Sequence, residues 1–347
     1  MRKTVLSLAT ATALAVSSVM VPAAVSVHAV GNGPNYNGNE TIKNERLHSY
    51  EDMVQFLESV DKQAEHLTVE TYGQSVQGRD LFLVKFGNNP DRPTIVILTQ
   101  QHGNEALVTE AALRVIQQLS TNSQKVRELQ EQVNVIFIPR LNVDGAEGDV
   151  NFDISHYEGG GQATRYNANE ADLNRDHNSL AQPETRALHE EVLQQYDIDY
   201  LIDFHHQGTQ SAINDEYVSG SILYPTNPQV DPAVAHMSKQ LGAVVYDAVE
   251  EKGYGTLGKY RGGTANTIAR NGLAHDYDIS TLLFEMRGMS DHSYEPYVLG
   301  QKSNGYIIQQ GVVAMEAAIE AIADDSITEA DTSFWETLPY QGTKGEE

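Results

Sequence analysis

TIVILTQQHGNEALVTEAALRVIQQL, residues 94–119, contains a strand, a turn and a helix in succession. Its first half is apolar on consecutive residues, the pattern of a strand covered on both faces. From residue 106 onward the apolar residues recur at three- and four-residue intervals, which predicts a helix over 106–119. Between the two, His102 and Glu105 flank Gly103-Asn104, so two good metal ligands are held around one tight turn. The alternation continues along the chain. TVETYG, LFLVKFG, VNVIFIP, YLIDFH and STLLFE read as further strands, and 50–64, 184–195, 232–252 and 306–323 have helical spacing. Strands alternating with helices predict a single α/β domain: a central mixed, mostly parallel β-sheet with helices on both faces.

The flanks read differently. Arg2 and Lys3 precede a long Ala/Val/Leu/Ser stretch that closes on Val27-His28-Ala29, a small-x-small triplet. Residues 1–29 are therefore expected to be a secretory signal, cleaved near Ala29, with the mature protein exported. Residues 30–47 read as a flexible Gly/Asn-rich lead-in, 48–323 as the globular domain, and 324–347 as an acidic, loosely attached tail. No apolar run after the signal is expected to span a membrane.

Composition narrows the chemistry. The formal net charge is −25, and removing 1–29, which holds two cations and no acid, takes it to −27. Such a balance argues against nucleic acid or an anionic membrane as partner. Cysteine is absent, which excludes a disulfide framework, a thiolate nucleophile and Cys-rich zinc sites. A metal here must be held by His, Asp or Glu.

Three such residues stand where ligands bind in open α/β sheets, beyond the carboxyl ends of strands. TIVILTQQH ends in His102, YLIDFH in His205 and STLLFE in Glu285. With Glu105 brought round by the Gly-Asn turn, His102, Glu105 and His205 form a His₂Glu set of the kind that holds one catalytic zinc with a position open for water. Zinc lowers the pKa of that water towards ~7 and polarises a carbonyl. Glu285 is then the carboxylate that takes the water's proton. His206 is an alternative ligand, although strand alternation turns it to the opposite side.

HGNE (102–105), DLNR (172–175), DFHH (203–206) and FEMRG (284–288), in this order, resemble the motifs of the zinc metallocarboxypeptidases of the carboxypeptidase A type. GQSVQGRDLFLVKFG (73–87) and QPETRAL (182–188) add to a likeness that spans roughly 48–323. The resemblance implies a zinc carboxypeptidase-like catalytic domain acting on peptides with a free C-terminus. It implies His102, Glu105 and His205 as zinc ligands and Glu285 as general base. Asp172 is similar to the carboxylate that orients the first zinc histidine, and Asn174 and Arg175 match the pair that grips the substrate's terminal carboxylate. Arg165 resembles the arginine that steadies the oxyanion, and Tyr260, with Tyr254 and Tyr277 as rivals, the mobile tyrosine that closes over the substrate.

One pocket residue sets side-chain preference in such enzymes. Counting from Gly262-Gly263 reaches Ala265, which suits apolar residues; counting back from Glu285 reaches Arg270, which suits acidic ones. His275, Asp276 and His292 have no matched role and are expected in solvated loops. The expected partners are peptide substrates, and a monomer is the expected state. Aspartoacylase-like amidohydrolases, which share an HGNE-type motif, and peptidases of cell-wall stem peptides are the alternative enzymes. A binding protein on an inactive scaffold is disfavoured by the presence of Glu285 and all three ligands.

Overall fold

The computed structural model describes residues 47–148, 164–208, 211–288 and 304–343. The signal segment and all but the last residue of the lead-in lie outside these, as does His292. Eight strands form the central sheet: β1 Leu67–Gln74, β2 Asp80–Phe86, β3 Thr94–Thr99, β4 Asn134–Ile138, β5 Tyr200–Gln207, β8 Gly220–Leu223, β9 Leu257–Lys259 and β10 Ser280–Arg287. Their order is β1-β2-β4-β3-β5-β10-β8-β9. The middle, β4-β3-β5-β10, is parallel, whereas β1-β2, β2-β4 and β10-β8 pair antiparallel. The mixed, mostly parallel sheet expected from the alternation is what the chain forms.

Side-chain alternation divides the interior in two. Ile95, Ile97, Ile202, Phe204, Leu282 and Phe284 face a larger core shared with the helices Tyr50–Gln63, Ala106–Leu119, Pro232–Glu251 and Asn304–Ala323. Val96, Leu98, Ile136 and Leu201 face a smaller one, closed by Pro183–Leu188 and Ala269–Asp276. Asp203 and His205 share their face with Leu201, so this thinner side carries the polar end of the sheet. By length and composition Gly305–Ala323 could cross a membrane, which the sequence reading did not expect; here it is a core helix, 72% buried in the fold.

The loosely attached tail requires correction. Residues 324–343 are packed down: Trp335 is buried, its Nε1 donates to the Lys239 carbonyl at 2.9 Å, and its ring stands edge-on to Tyr224. Lys259 Nζ donates back to the Trp335 carbonyl at 2.6 Å. A last strand, β11 Gly342–Thr343, joins β6 Ser211–Ile213 and β7 Glu216–Tyr217 in a small second sheet. The acidic composition hid a few apolar anchors, one of them the chain's sole tryptophan.

Candidate metal centre

The turn after β3 explains why HGNE has its sequence. Gln100 adopts a left-handed φ of 54°, which swings the chain off the sheet edge. Gly103 then passes so close to its neighbours that a Cβ would lie 2.3 Å from the Gly145 carbon and the Thr164 oxygen. Only glycine fits there. Glu105 ends the turn as the N-cap residue of the helix Ala106–Leu119. From this corner His102 and Glu105 face the end of β5.

There, strand register supplies the rest. His205 of β5 lies opposite Glu285 of β10, and Asp203 opposite Leu283, in a parallel pair whose partners share a face. His102 Nδ1 is 2.8 Å from Glu105 Oε1, His205 Nδ1 is 2.9 Å from Glu105 Oε2, and the two Nδ1 atoms are 3.1 Å apart. Among the described residues these three form the one His/Asp/Glu group whose ligand atoms converge within 4.8 Å. His206 does not join them: it pairs in register with Met286, a residue of the larger core, on the opposite face.

The donor set suits a divalent cation. Behind each imidazole a carboxylate claims the far nitrogen: Asp172 Oδ1 is 3.1 Å from His102 Nε2, and Asp203 Oδ1 is 3.0 Å from His205 Nε2. Protons on both Nε2 atoms leave two Nδ1 lone pairs and one carboxylate converging on a single point. Zinc bonds of ~2.0–2.1 Å in a tetrahedron would have edges of about 3.3 Å, close to the spacings here. Burial would push Asp172 up, but the hydrogen bond and charge of His102, with Arg165, hold it well below the usual carboxylate range.

Glu285 is nearly fully buried, and its Oε2 has no hydrogen-bond partner among the described residues. Burial raises its carboxyl to about 7, partly offset by the histidines. Arg165 donates to Asp172 Oδ2 at 3.0 Å and brings Nη1 to 3.2 Å from His102 Nδ1 and 3.9 Å from Glu105 Oε1. Asn174 is buried, with Oδ1 accepting from the Ala269 amide at 2.9 Å and Nδ2 3.1 Å from His205 Nε2. Arg175 is exposed and donates to the Asn174 carbonyl at 2.7 Å.

Of the three tyrosines, Tyr260 is the one on which the charges of the centre act. The charge of Glu285, then burial, raises its phenol well above the usual value, and Glu105, Arg165 and Arg175 also act on it. Tyr254 is packed in the core, and Tyr277 bonds His189. Ala265 lies exposed, whereas Arg270 is 1% exposed and feels Asp203, Tyr260 and Glu285. His275 and Asp276 are not in a loop; they pair at 2.6 Å in the last turn of the helix Ala269–Asp276.

Sequence reasoning passed over Asp203, Gln101, His177 and His189. Asp203 was findable, since alternation puts it on the same strand face as His205, two residues on.

Comparison with known proteins agrees with this geometry. A family profile described as zinc carboxypeptidase matches residues 53–311. Rat carboxypeptidase D is 32% identical over 167 residues, 45% of this chain and 12% of that protein. The human carboxypeptidase N catalytic chain is 29% identical over 145 residues, 38% of this chain and 30% of its own length. These curated relatives are thus matched over less than a third of their length. Among solved structures, a metallo-carboxypeptidase from Burkholderia cenocepacia aligns over 81% of this chain and 70% of its own, with TM-score 0.61 and 20% identity, a likeness of fold. With its profile match covering most of the globular domain, the chain belongs to the zinc carboxypeptidase family, peptidase M14.

Proposed function

We propose that the protein is a zinc-dependent carboxypeptidase that hydrolyses the last peptide bond of peptides with a free C-terminus. The observation that carries this reading is the His102–Glu105–His205 cluster with Glu285 beside it on the next strand. One zinc ion held by those three residues would activate a water and polarise the scissile carbonyl. Glu285, in its ionised form and with a free oxygen, accepts the water's proton and returns it to the leaving amine. Arg165 offers N–H groups to the negative charge that develops on the carbonyl oxygen, a role usually worth on the order of 10²–10³ in rate. Arg175, solvent-facing and charged, takes the terminal carboxylate bidentately, aided by the Asn174 amide. Tyr260 covers the bound residue.

We also propose a preference for acidic C-terminal residues, read from Arg270. Its Nη1 donates to the Tyr224 carbonyl at 2.7 Å and Nη2 to the Gly263 carbonyl at 2.8 Å. Among the described residues Nε has no partner and no carboxylate lies within ion-pair distance. Burial lowers this guanidinium to about 10, so it remains a cation at neutral pH. An unpaired buried cation is costly, and a substrate carboxylate is the group that satisfies it. Export after cleavage near Ala29 and action as a monomer complete the proposal, on sequence grounds.

The test is hydrolysis of N-blocked dipeptides with Glu, Leu or Lys at the C-terminus, with N-acyl-aspartate alongside, in the presence and absence of a chelator. Chelator-sensitive release of the terminal residue, Glu fastest, is expected. Cleavage of N-acyl-aspartate alone would make the protein an amidohydrolase instead.

A further inference from the structure

Behind His205, on the side away from Glu105, a run of polar side chains leads out of the centre. Gln101 Nε2 lies 2.8 Å from Asp203 Oδ1, and Gln101 Oε1 lies 2.7 Å from His177 Nε2. His177 Nδ1 is 3.0 Å from His189 Nε2, His189 Nδ1 is 2.8 Å from the Tyr277 hydroxyl, and Gln194 Nε2 is 3.3 Å from that hydroxyl. His177 and His189 are each 2% exposed. None of the four residues from Gln101 to Tyr277 belongs to the ligand set, and the proposed reaction uses none of them.

The chemistry of the groups gives this chain a direction. Buried imidazoles with no carboxylate at hydrogen-bond distance stay neutral, and burial lowers His177 to about 3 and His189 to about 4. Each therefore carries one N–H. An amide oxygen only accepts, so the His177 proton sits on Nε2 and points at Gln101. His177 Nδ1 must then accept, which puts the His189 proton on Nε2. His189 Nδ1 accepts in turn from the Tyr277 O–H. Gln101 is oriented by the same logic, because its amide nitrogen has to face the Asp203 carboxylate. Every donor meets an acceptor, and the polarity runs one way, from Tyr277 to Asp203.

The far end bears on His205. Three groups surround its Nε2: Asp203 Oδ1 at 3.0 Å, Asn174 Nδ2 at 3.1 Å and Gln101 Nε2 at 3.4 Å. The two amide nitrogens are donors, so only Asp203 can accept the Nε2 proton. We propose that Tyr277, His189, His177 and Gln101 are positioning residues: they hold Asp203 Oδ1 against His205 Nε2–H and so keep the Nδ1 lone pair aimed at the metal. The chain crosses four segments. They are the turn after β3, the loop at His177, the π-helical turn His189–Leu193, and Tyr277, the C-cap of Ala269–Asp276. A π-turn is a rare local form that is frequent at functional sites. Here His189 opens it.

The inference rests on His205 being a metal ligand, and the experiment separates the two claims. Zinc affinity of the full-length protein is measured by competition with a chromophoric chelator, alongside the melting temperature of zinc-free protein. Wild type should bind one zinc tightly; failure to bind would remove the metal reading and this inference with it. His177→Leu and Gln101→Leu should weaken zinc by about 10–100-fold, the usual effect of losing an outer-shell partner. His177→Gln, whose Nε2 can still donate to Gln101, should recover most of that loss. Tyr277→Phe deletes one hydroxyl at the half-buried end and should fold normally, with a loss below ~10-fold yet clear of experimental scatter. If wild type binds zinc but His177→Leu lowers only the melting temperature, or Tyr277→Phe binds zinc as wild type does, the chain is packing and the proposal is overturned.

Discussion

Arg270→Met should exchange one substrate preference for another. The guanidinium carries five N–H donors. Three are engaged with the Tyr224 carbonyl, Thr226 Oγ1 and the Gly263 carbonyl, which leaves one on Nε and one on Nη2. Hydrogen bonds between a charged donor and a carboxylate contribute roughly 1.5–3 kcal/mol each. Allowing for desolvation of the substrate carboxylate, two such bonds should leave about 3–4 kcal/mol, or roughly 10²–10³ in kcat/KM. The Met variant should lose that factor on blocked dipeptides ending in Glu, and hold or gain rate on those ending in Leu. Its stability is set by two opposed effects, relief of a buried cation with no carboxylate partner and loss of the donors to the Tyr224 and Gly263 carbonyls, so the net change should be small beside the change in specificity. The assay is kcat/KM for both substrates on each protein, with thermal melts as a check on folding. An unchanged Glu-to-Leu ratio in a folded variant would show that Arg270 does not read the side chain.

Other perturbations reach the rest of the structure. Glu285→Gln should keep its zinc content, since Glu285 is outside the ligand set, yet lose about 10²–10⁴ in kcat; undiminished turnover would remove it as the base. Trp335→Ala should destabilise the whole domain by about 3–5 kcal/mol in a denaturant titration, whereas a loosely held tail predicts almost no change. His177 and His189 titrate below the unfolded value of 6.5, so their stabilising contribution is complete above that pH and is lost as pH falls towards 4 and 3. At pH 5 the cost is about 2 kcal/mol for each. His177→Gln should therefore flatten the acid side of the stability curve, and an unchanged slope would contradict the assignment.

What the sequence revealed and what it hid divide along physical lines. Long periodic segments were legible: the helix 106–119 and the strands around 94–99 and 200–207 declare themselves because burial dictates their spacing. So was the centre, because three ligand-type residues at three strand ends follow from topology alone. Short elements were missed. Gly220–Leu223 and Leu257–Lys259 are held by partners in the sheet and have too few residues to show a period. The region 184–195 was read as one helix, but it widens into a π-turn at His189, a change that depends on what the histidine meets in space. Arg270 and Ala265 could not be separated by counting, since a count ignores which side chain the loop turns inward. The tail misled because its acids outnumber its anchors, and one tryptophan over Gly242 outweighs them.

The most direct test is anomalous diffraction at the zinc edge from crystals of active protein. A single strong peak bonded to His102 Nδ1, His205 Nδ1 and the Glu105 carboxylate, with Glu285 alongside and unbonded, is the predicted result. Active crystals with no anomalous peak there, or with zinc bound by other residues, would contradict it.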